Sequence, residues 1–576
     1  MKLYLKARTC VLLLVFVVLG VYYPAIFSPF NPVDDPGTVN YLLNSDSFSL
    51  RSIFAPGGTY YRPILLLTFL ADKHLWGMQA SFMHLENILI HLLNVLLLFA
   101  VARSCSRTEE MRSSLLPLTA ALLFALHPIN TEAVNWISGR TDLLCCFFIL
   151  LATWFTCRRG ASPVASVMAA LCLLVACLAK ETAIFFLPAA LIFPFFHPGE
   201  GGVRRSLRQA ALQNWSHFLA FGMVGAGFFL FRALGSQHGD AGVARVISHV
   251  AGAQSGGAAV NLRLPLKAAG FYLKKLFVPF PLNFGIMHVS DLYLPVGILL
   301  CLILVWLLTR RTLCAFFFLC AAAVSCSALL IPLLNLTWTP LAERYMYIPS
   351  AFFVLGLTFA CQGLERRAHW QPAVTLSAVL ILLIGCYGTV SRTLLWQDNL
   401  ALFQDTLRKS PGFVPAQNEI GIALYAQGKK AESAAMLKSM QLPPELINYQ
   451  YGLMTKAASL QMAGDLDGAE ALLNQVLKTP GKSEVEICRR LLSLYDLKVA
   501  RGTTSPKQLH PTTVRLLTRM HQLTGDPFYL YRLGIVHMMQ QERGPARENF
   551  RNAAAQAPPN AIYRLPSLKL SEKMSD

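Results

Sequence analysis

LPVGILLCLILVWLLTRR, residues Leu294 to Arg311, decides the architecture. Its apolar part approaches the roughly 20 residues that cross a bilayer core, and it ends on two arginines. Runs of the same kind recur at Val11 to Val21, Leu85 to Val101, Leu143 to Phe155, Val164 to Leu178, Phe218 to Phe231, Cys314 to Leu334, Tyr345 to Cys361 and Val374 to Tyr387. The composition agrees: 54% of the 576 residues are hydrophobic and only 14% are charged, against about 25% charged in a soluble domain. Two shorter runs, Leu115 to Leu126 and Ala183 to Phe196, count as spans because the charge pattern requires them.

That pattern is an alternation. Basic residues fall in every second gap: Lys2, Lys6 and Arg8, then Arg103, Arg107 and Arg112, then Arg158 and Arg159, then Arg204, Arg205 and Arg208, then Arg310 and Arg311, then Arg366 and Arg367. Such gaps are cytoplasmic by the positive-inside rule. The net charge of +19 is thus a topology signal, and nucleic acid is excluded as a partner in favour of membrane lipid. Threading the runs gives about 11 crossings, a cytoplasmic N-terminus, and a C-terminus in a periplasm or lumen. Ser28 to Met83, His127 to Thr141 and Ala233 to Asp291 then lie outside as well. The first run is followed by Val21-Tyr22-Tyr23-Pro24 and has no small-residue cleavage site, so it reads as a retained anchor. Of 14 cysteines only Cys488 falls in the external C-terminal region, and no Cys/His spacing suggests zinc.

Near Arg392 the apolar runs stop and a helical period takes over. Asn418 to Glu432 and Ala457 to Glu470 share one plan: a helix, a glycine turn at Gly428 or Gly464, and an Ala-Glu opening the next helix at Ala431 or Ala469. Tyr529 to Pro558 is a third candidate, and Cys488 to Pro527 is helical but a poor match. These stretches resemble tetratricopeptide repeats. The expected fold is all-α: a polytopic helical bundle over 1–392, then a water-soluble tetratricopeptide-like α-solenoid over 393–576.

Chemistry-bearing residues cluster at the outer ends of the spans. Asp34-Asp35 follows the first span; such a pair can supply a general base or hold a divalent cation. Tyr61-Arg62-Pro63 opens an apolar stretch to Trp76 that is too short to cross, which suggests a helix in the outer interface. His127 to Asp142 is a polar insert in which helical spacing would put Glu132, Trp136 and Arg140 along one side. Lys180-Glu181 and Glu343-Arg344 complete the set. Each cluster alone reads equally as a solvated or neutralised span end. Together, carboxylates, cations and aromatics at one membrane face suggest a pocket for a lipid tail with a phosphate head.

The ordered set Asp34-Asp35, Tyr61-Arg62-Pro63, Phe82-Met83-His84-Leu85-Glu86-Asn87 with His91, His127-Pro128 through Gly139-Arg140, Leu178-Ala179-Lys180-Glu181, and Leu341-Ala342-Glu343-Arg344-Tyr345-Met346-Tyr347-Ile348-Pro349-Ser350 resembles the transmembrane and tetratricopeptide-repeat O-mannosyltransferases and their bacterial relatives, glycosyltransferases of the GT-C class. The likeness runs along nearly the whole chain. Glu86 departs from it, since the family usually has Asn there. Animal members carry a longer repeat array, so the short tail points to a bacterial relative and an inner membrane rather than the endoplasmic reticulum.

The resemblance implies transfer of mannose or another hexose from a polyprenyl-phosphate-linked sugar to an acceptor on the outer face. It implies Asp34 or Asp35 as base. Arg62, Arg140, Lys180 and Arg344 are the candidates to offset the leaving phosphate's charge, with His84, Glu132, Trp136, Glu181 and Glu343 beside them at the donor phosphate and sugar. The repeats would hold an acceptor protein through its Ser/Thr hydroxyls. No metal ligand set is expected beyond the open question of a cation at the Asp pair. The competing readings are a lipid or glycan acceptor, a non-catalytic membrane scaffold, and a transporter.

Overall fold

A computed structural model describes residues 6–35, 39, 53, 61–106, 115–159, 162–196, 206–236, 258–334, 339–365, 371–438, 450–478, 484–557 and 561–574. Lys2, Arg107, Arg112, Arg204, Arg205, Arg366 and Arg367 of the basic gaps lie outside them. The described residues form helices, with one isolated antiparallel bridge between Ile286 and Leu341. They fall into two compact units, Met1–Phe413 and Val414–Asp576.

Among the described residues of the first unit, 7 helices are long and apolar enough to cross a membrane. A bent pair, Leu207–Gln213 and Trp215–Phe231, and 3 shorter apolar helices (Leu116–Ala125, Pro163–Ala179, Glu181–Phe196) complete the set. They coincide one for one with the runs read from the sequence, and the chain is an integral, multi-pass membrane protein. Leu116–Ala125 has 10 residues, about 15 Å of helix at 1.5 Å per residue. Its Ala120, Ala121, Phe124 and Ala125 are fully enclosed by neighbouring helices. Asp291–Arg310 and Pro372–Leu395 are at the opposite extreme, leaving Leu299, Leu302, Val305, Leu380, Leu383 and Tyr387 exposed. Apolar side chains on an outer face are what a hydrocarbon solvent requires.

Small residues set the close helix contacts, as is usual where lipid gives no hydrophobic drive to association. Ala169, Ala170 and Ala176 are buried along Pro163–Ala179. Gly270 and Gly297 let the backbones of Ala258–Phe277 and Leu294–Arg310 touch; a Cβ on either would overlap the opposing chain. Ala258–Phe277 falls in the long segment expected to lie outside, where the sequence predicts no helix. Its apolar residues are interrupted by Arg263, Lys267, Lys274 and Lys275, so it produces no apolar run.

The expected boundary after Arg392 falls within the first unit. Asn399–Lys409, an amphipathic helix, is tied to it by Arg392 to Asp405 (2.9 Å), Lys409 Nζ to the Leu282 carbonyl (2.7 Å), Asn283 Nδ2 to Ser410 Oγ (2.9 Å) and Asn399 Nδ2 to the Phe30 carbonyl (2.9 Å). The Phe413 ring then covers Gly285, where a Cβ would collide with it.

The second unit is a succession of helices, each packed on the next: Val414–Ala426 on Lys430–Lys438, Gln450–Met462 on Leu466–Leu477, and Phe528–Met539 on Arg543–Gln556. Glu484–Ala500 and Pro506–Thr524 continue the pattern through the stretch that matched the repeats poorly. Four turns use one device, the one at Gly502 with φ 69° and Thr503 N–H to the Lys498 carbonyl at 3.0 Å among them. Gly428, Gly464 and Gln541 take left-handed φ of 80°, 84° and 63°. In these three the next residue's N–H reaches back to the carbonyl of Leu424, Leu460 or His537 at 2.9–3.0 Å.

Candidate active site

In the first unit, ion pairs join helix ends and loops that are far apart in sequence. Arg62, preceding Pro63 at the start of Pro63–Trp76, donates from Nε and Nη2 to the two oxygens of Glu181 at 2.9 and 2.5 Å. Lys180 Nζ lies 2.6 Å from Asp142 Oδ1. Arg344 Nη1 lies 2.5 Å from Glu132 Oε1, while Glu132 Oε2 accepts the backbone N–H groups of Glu343 and Arg344 at 3.0 and 3.2 Å. Glu343 in turn accepts from Lys275 Nζ at 2.7 Å and from the Asn283 N–H at 2.9 Å. Arg344 sits over the rings of Trp136 (4.7 Å) and Tyr345 (4.9 Å), and Lys180 approaches the Tyr345 ring at 5.8 Å. A cation deprived of water needs a counter-charge when no ligand is present, and each of these four has one.

The two aspartates take different parts. Asp35 is 1% exposed. Its Oδ1 accepts from the Ser138 N–H (3.2 Å) and Oγ–H (2.6 Å), and its Oδ2 accepts from the Asn31 N–H (2.9 Å). It therefore binds the loop after the first span to the His127–Asp142 insert. Burial pushes its carboxyl up to about 6, with the Ser138 and Asn31 hydrogen bonds opposing and Asp34 adding to the rise. Asp34 is only partly enclosed and lies within electrostatic reach of Arg344 and Arg62. Burial raises its carboxyl above the usual carboxylate range, and the two arginines oppose that rise. Hydrogen-bond donors reach both oxygens of Asp35, which leaves Asp34 the more exposed of the two carboxylates.

The helical face expected for Glu132, Trp136 and Arg140 does not form. Helix Thr131–Asn135 stops at Trp136, which is extended at ψ 125°, and a 3-10 turn Ile137–Gly139 reverses the chain before helix Arg140–Arg159 begins. Gly139 makes the reversal possible, since a Cβ there would overlap the Ala133 carbonyl. Glu132 and Trp136 consequently meet Arg344, whereas Arg140 is sent elsewhere. Arg140 is fully buried and its guanidinium is committed: Nε to Asn87 Oδ1 (2.9 Å), Nη1 to Asp72 (2.7 Å) and Glu86 (2.9 Å), and Nη2 to the Met83 carbonyl (3.0 Å), with Phe69 beneath it. Its geometry is that of a pillar between helices. His84 is likewise buried, against the Ser28–Pro29 backbone.

The structure thus brings together Asp34, Arg62, Glu181, Lys180, Arg344, Glu132, Trp136 and Glu343, and sets Arg140 and His84 into the packing around them. Sequence reasoning passed over Asp142 and Lys275. Asp142 closes the quoted polar insert, so the signal for it was present. Lys275 sits on a helix that apolar-run reading could not find.

No protein-family model matches the chain. Among curated proteins, Protein O-mannosyl-transferase TMTC1 of Homo sapiens is 45% identical over 92 residues, 16% of this chain and 10% of that protein. Protein O-mannosyl-transferase TMTC4 of Homo sapiens is 27% identical over 429 residues, and its Mus musculus counterpart 28% over 428, each covering 64% of this chain and 56% of the relative. The chain spans about half the length of those longer matches. The relatives named here are animal proteins, so a bacterial source draws no support from them. Among solved structures, the Archaeoglobus fulgidus oligosaccharyltransferase matches over 75% of this chain and 59% of its own, with 13% identity and a TM-score of 0.30. The motifs and the long alignments agree: over 64% of its length this chain is similar to proteins named protein O-mannosyl-transferases.

Proposed function

We propose that this chain is a membrane glycosyltransferase that moves a hexose, mannose in the first instance, from a polyprenyl-phosphate donor to Ser/Thr hydroxyls of an exported protein. The observation that carries this reading is the partly enclosed Asp34 carboxylate in the field of Arg62 and Arg344, with Lys180 close to Arg344 through the Tyr345 ring. The acceptor oxygen attacks the anomeric carbon, its proton passes to Asp34, and the bond from that carbon to the phosphate oxygen breaks. The polyprenyl phosphate leaves with the bonding electrons and one more negative charge. A positioned base and fixed cations at the leaving oxygen are the two contributions such a step needs. Arg62, with 20% of its side chain exposed against 10% for Lys180 and Arg344, is the first cation an arriving phosphate would meet. Asp35 holds the base loop in place.

In this reading the N-terminus is cytoplasmic, the site and the second unit face the periplasm or lumen, and the repeats hold the acceptor. Removing Asn418 to Asp576 should then reduce transfer to protein while donor binding persists. The deciding experiment uses purified full-length protein, a radiolabelled polyprenyl-phosphate mannose and an exported acceptor protein. Label should move to protein, and the Asp34→Asn variant should abolish most of it. Label appearing in lipid or free glycan would replace the acceptor class and keep the chemistry. Equal transfer by wild type and the Asp34→Asn variant would remove the base assignment. No transfer from any polyprenyl-phosphate hexose would favour the scaffold reading.

A further inference from the structure

The second unit contains a group of side chains that the transfer reaction does not use. His510 lies on Pro506–Thr524, His537 on Phe528–Met539, and Glu542 caps Arg543–Gln556. His537 Nδ1 is 2.5 Å from Glu542 Oε2, and His510 Nε2 is 3.4 Å from the same oxygen. One donor atom from each residue fits within a 4.8 Å span. The two imidazoles meet edge to face at 5.4 Å. Their side chains are largely sheltered, at 17% and 13% exposure, whereas the glutamate stands at the solvent edge at 42%.

A His–Glu ion pair alone would account for His537 and Glu542. It does not account for His510, whose Nε2 is turned towards the same carboxylate oxygen at a distance too long for a good hydrogen bond. The backbone is also unusual here. Glu542 is delivered by Gln541 at φ 63°, where the sister turns use Gly428 and Gly464. A side chain in the left-handed region is disfavoured for any residue but glycine, and strained positions of this kind gather at binding sites.

We propose that His510, His537 and Glu542 bind one zinc(II) ion, with water or a fourth ligand at the solvent side, and that the ion clips together the two helices and the turn that carry them. Two imidazole nitrogens and a carboxylate oxygen suit zinc, with ligand distances of about 2.0–2.2 Å. Donors around a tetrahedral ion at that range stand about 3.3 Å apart. The His510–Glu542 separation already matches at 3.4 Å, the His537–Glu542 pair at 2.5 Å must open to admit the ion, and the three donor atoms lie within 4.8 Å of one another. Calcium and magnesium prefer all-oxygen sets and are disfavoured. The ligands come from two helices and the turn after the second, with no short Cys/His spacing, so no zinc motif is visible in the linear sequence.

The test is a zinc titration of the full-length, chelator-stripped protein in detergent against a chromophoric chelator, repeated with cobalt(II) to read its visible d–d absorption. One equivalent of zinc should bind, millimolar calcium or magnesium should not displace it, and zinc should raise the melting temperature. His510→Gln, His537→Gln and Glu542→Gln should each weaken binding by about tenfold or more, while Cys488→Ser, a buried thiol, should leave it unchanged. If the histidine variants fail to fold, Glu542→Gln at the exposed turn carries the test. Absence of a zinc equivalent, or an equivalent with full affinity in the Glu542→Gln variant, overturns the site.

Discussion

Replacing Asp34 and Asp35 singly by asparagine should separate chemistry from scaffolding. The Asp35 carboxylate receives three hydrogen bonds, two at Oδ1 from Ser138 and one at Oδ2 from Asn31. An asparagine there has one oxygen for donors arriving on two sides, so its NH2 must face an N–H or O–H that loses its acceptor. Losing one charge-assisted hydrogen bond in a buried site costs about 2 kcal/mol, which should appear as a lower melting temperature in detergent. Asp34→Asn should leave the melting temperature near wild type and lower turnover by roughly 10²–10⁴-fold, about 3 to 5 kcal/mol on the barrier at 1.36 kcal/mol per tenfold. The assay is initial-rate mannose transfer under saturating donor, alongside thermal denaturation of the same preparations. Because Asp34 must be deprotonated to act and burial raises its carboxyl, activity should be full at higher pH. It should be lost as pH falls through a value above the ordinary carboxylate range. The reasoning fails if Asp34→Asn turns over normally, or if the destabilised variant is Asp34→Asn and Asp35→Asn is the stable, inactive one.

Arg140→Leu should be a stability variant. It strands the buried Asp72 carboxyl, already pushed up by burial and by Glu86, at a cost of about 3–5 kcal/mol, and a second change Asp72→Asn should recover part of it; a folded Arg140→Leu protein with selectively weakened donor binding would contradict this. Arg62→Ala should weaken donor binding by about 10- to 100-fold, the worth of one charge-assisted contact, measured as donor KM, with Glu181→Gln added to remove the stranded acid. Gln541→Gly should raise the thermal stability of the metal-free protein by up to about 1 kcal/mol by relieving the left-handed turn; an unchanged or lower melting temperature would show that no strain is stored there. A C-terminal reporter that is active only in the cytoplasm should stay silent, and a strong signal would reverse the topology.

The membrane architecture was legible because its cause is local. A bilayer demands long apolar stretches with backbone groups paired inside each helix, so runs such as Leu294 to Leu308 announce themselves without knowledge of their neighbours. The repeat turns were legible for a similar reason, since Gly428 and Gly464 mark positions where the backbone needs positive φ. Even the members of the polar clusters could be named in advance, because ionisable residues at span ends are rare enough to stand out.

What could not be read was who pairs with whom. Helical spacing placed Glu132 and Arg140 on one face, and the reversal at Trp136 to Gly139 sent them to opposite tasks, one against Arg344 and the other against Asp72. The difference between Asp34 and Asp35 rests on Ser138 arriving from another segment. Lys275 reached Glu343 from a helix whose apolar pattern its own lysines obscured. The sequence by itself determined that this protein is a multi-pass helical membrane protein with a repeat-like helical tail, and which residues were eligible for its site. Only the tertiary structure decided which carboxylate stays accessible, which arginine becomes a pillar, and which histidines meet, because those outcomes depend on hydrogen-bond partners delivered from distant parts of the chain.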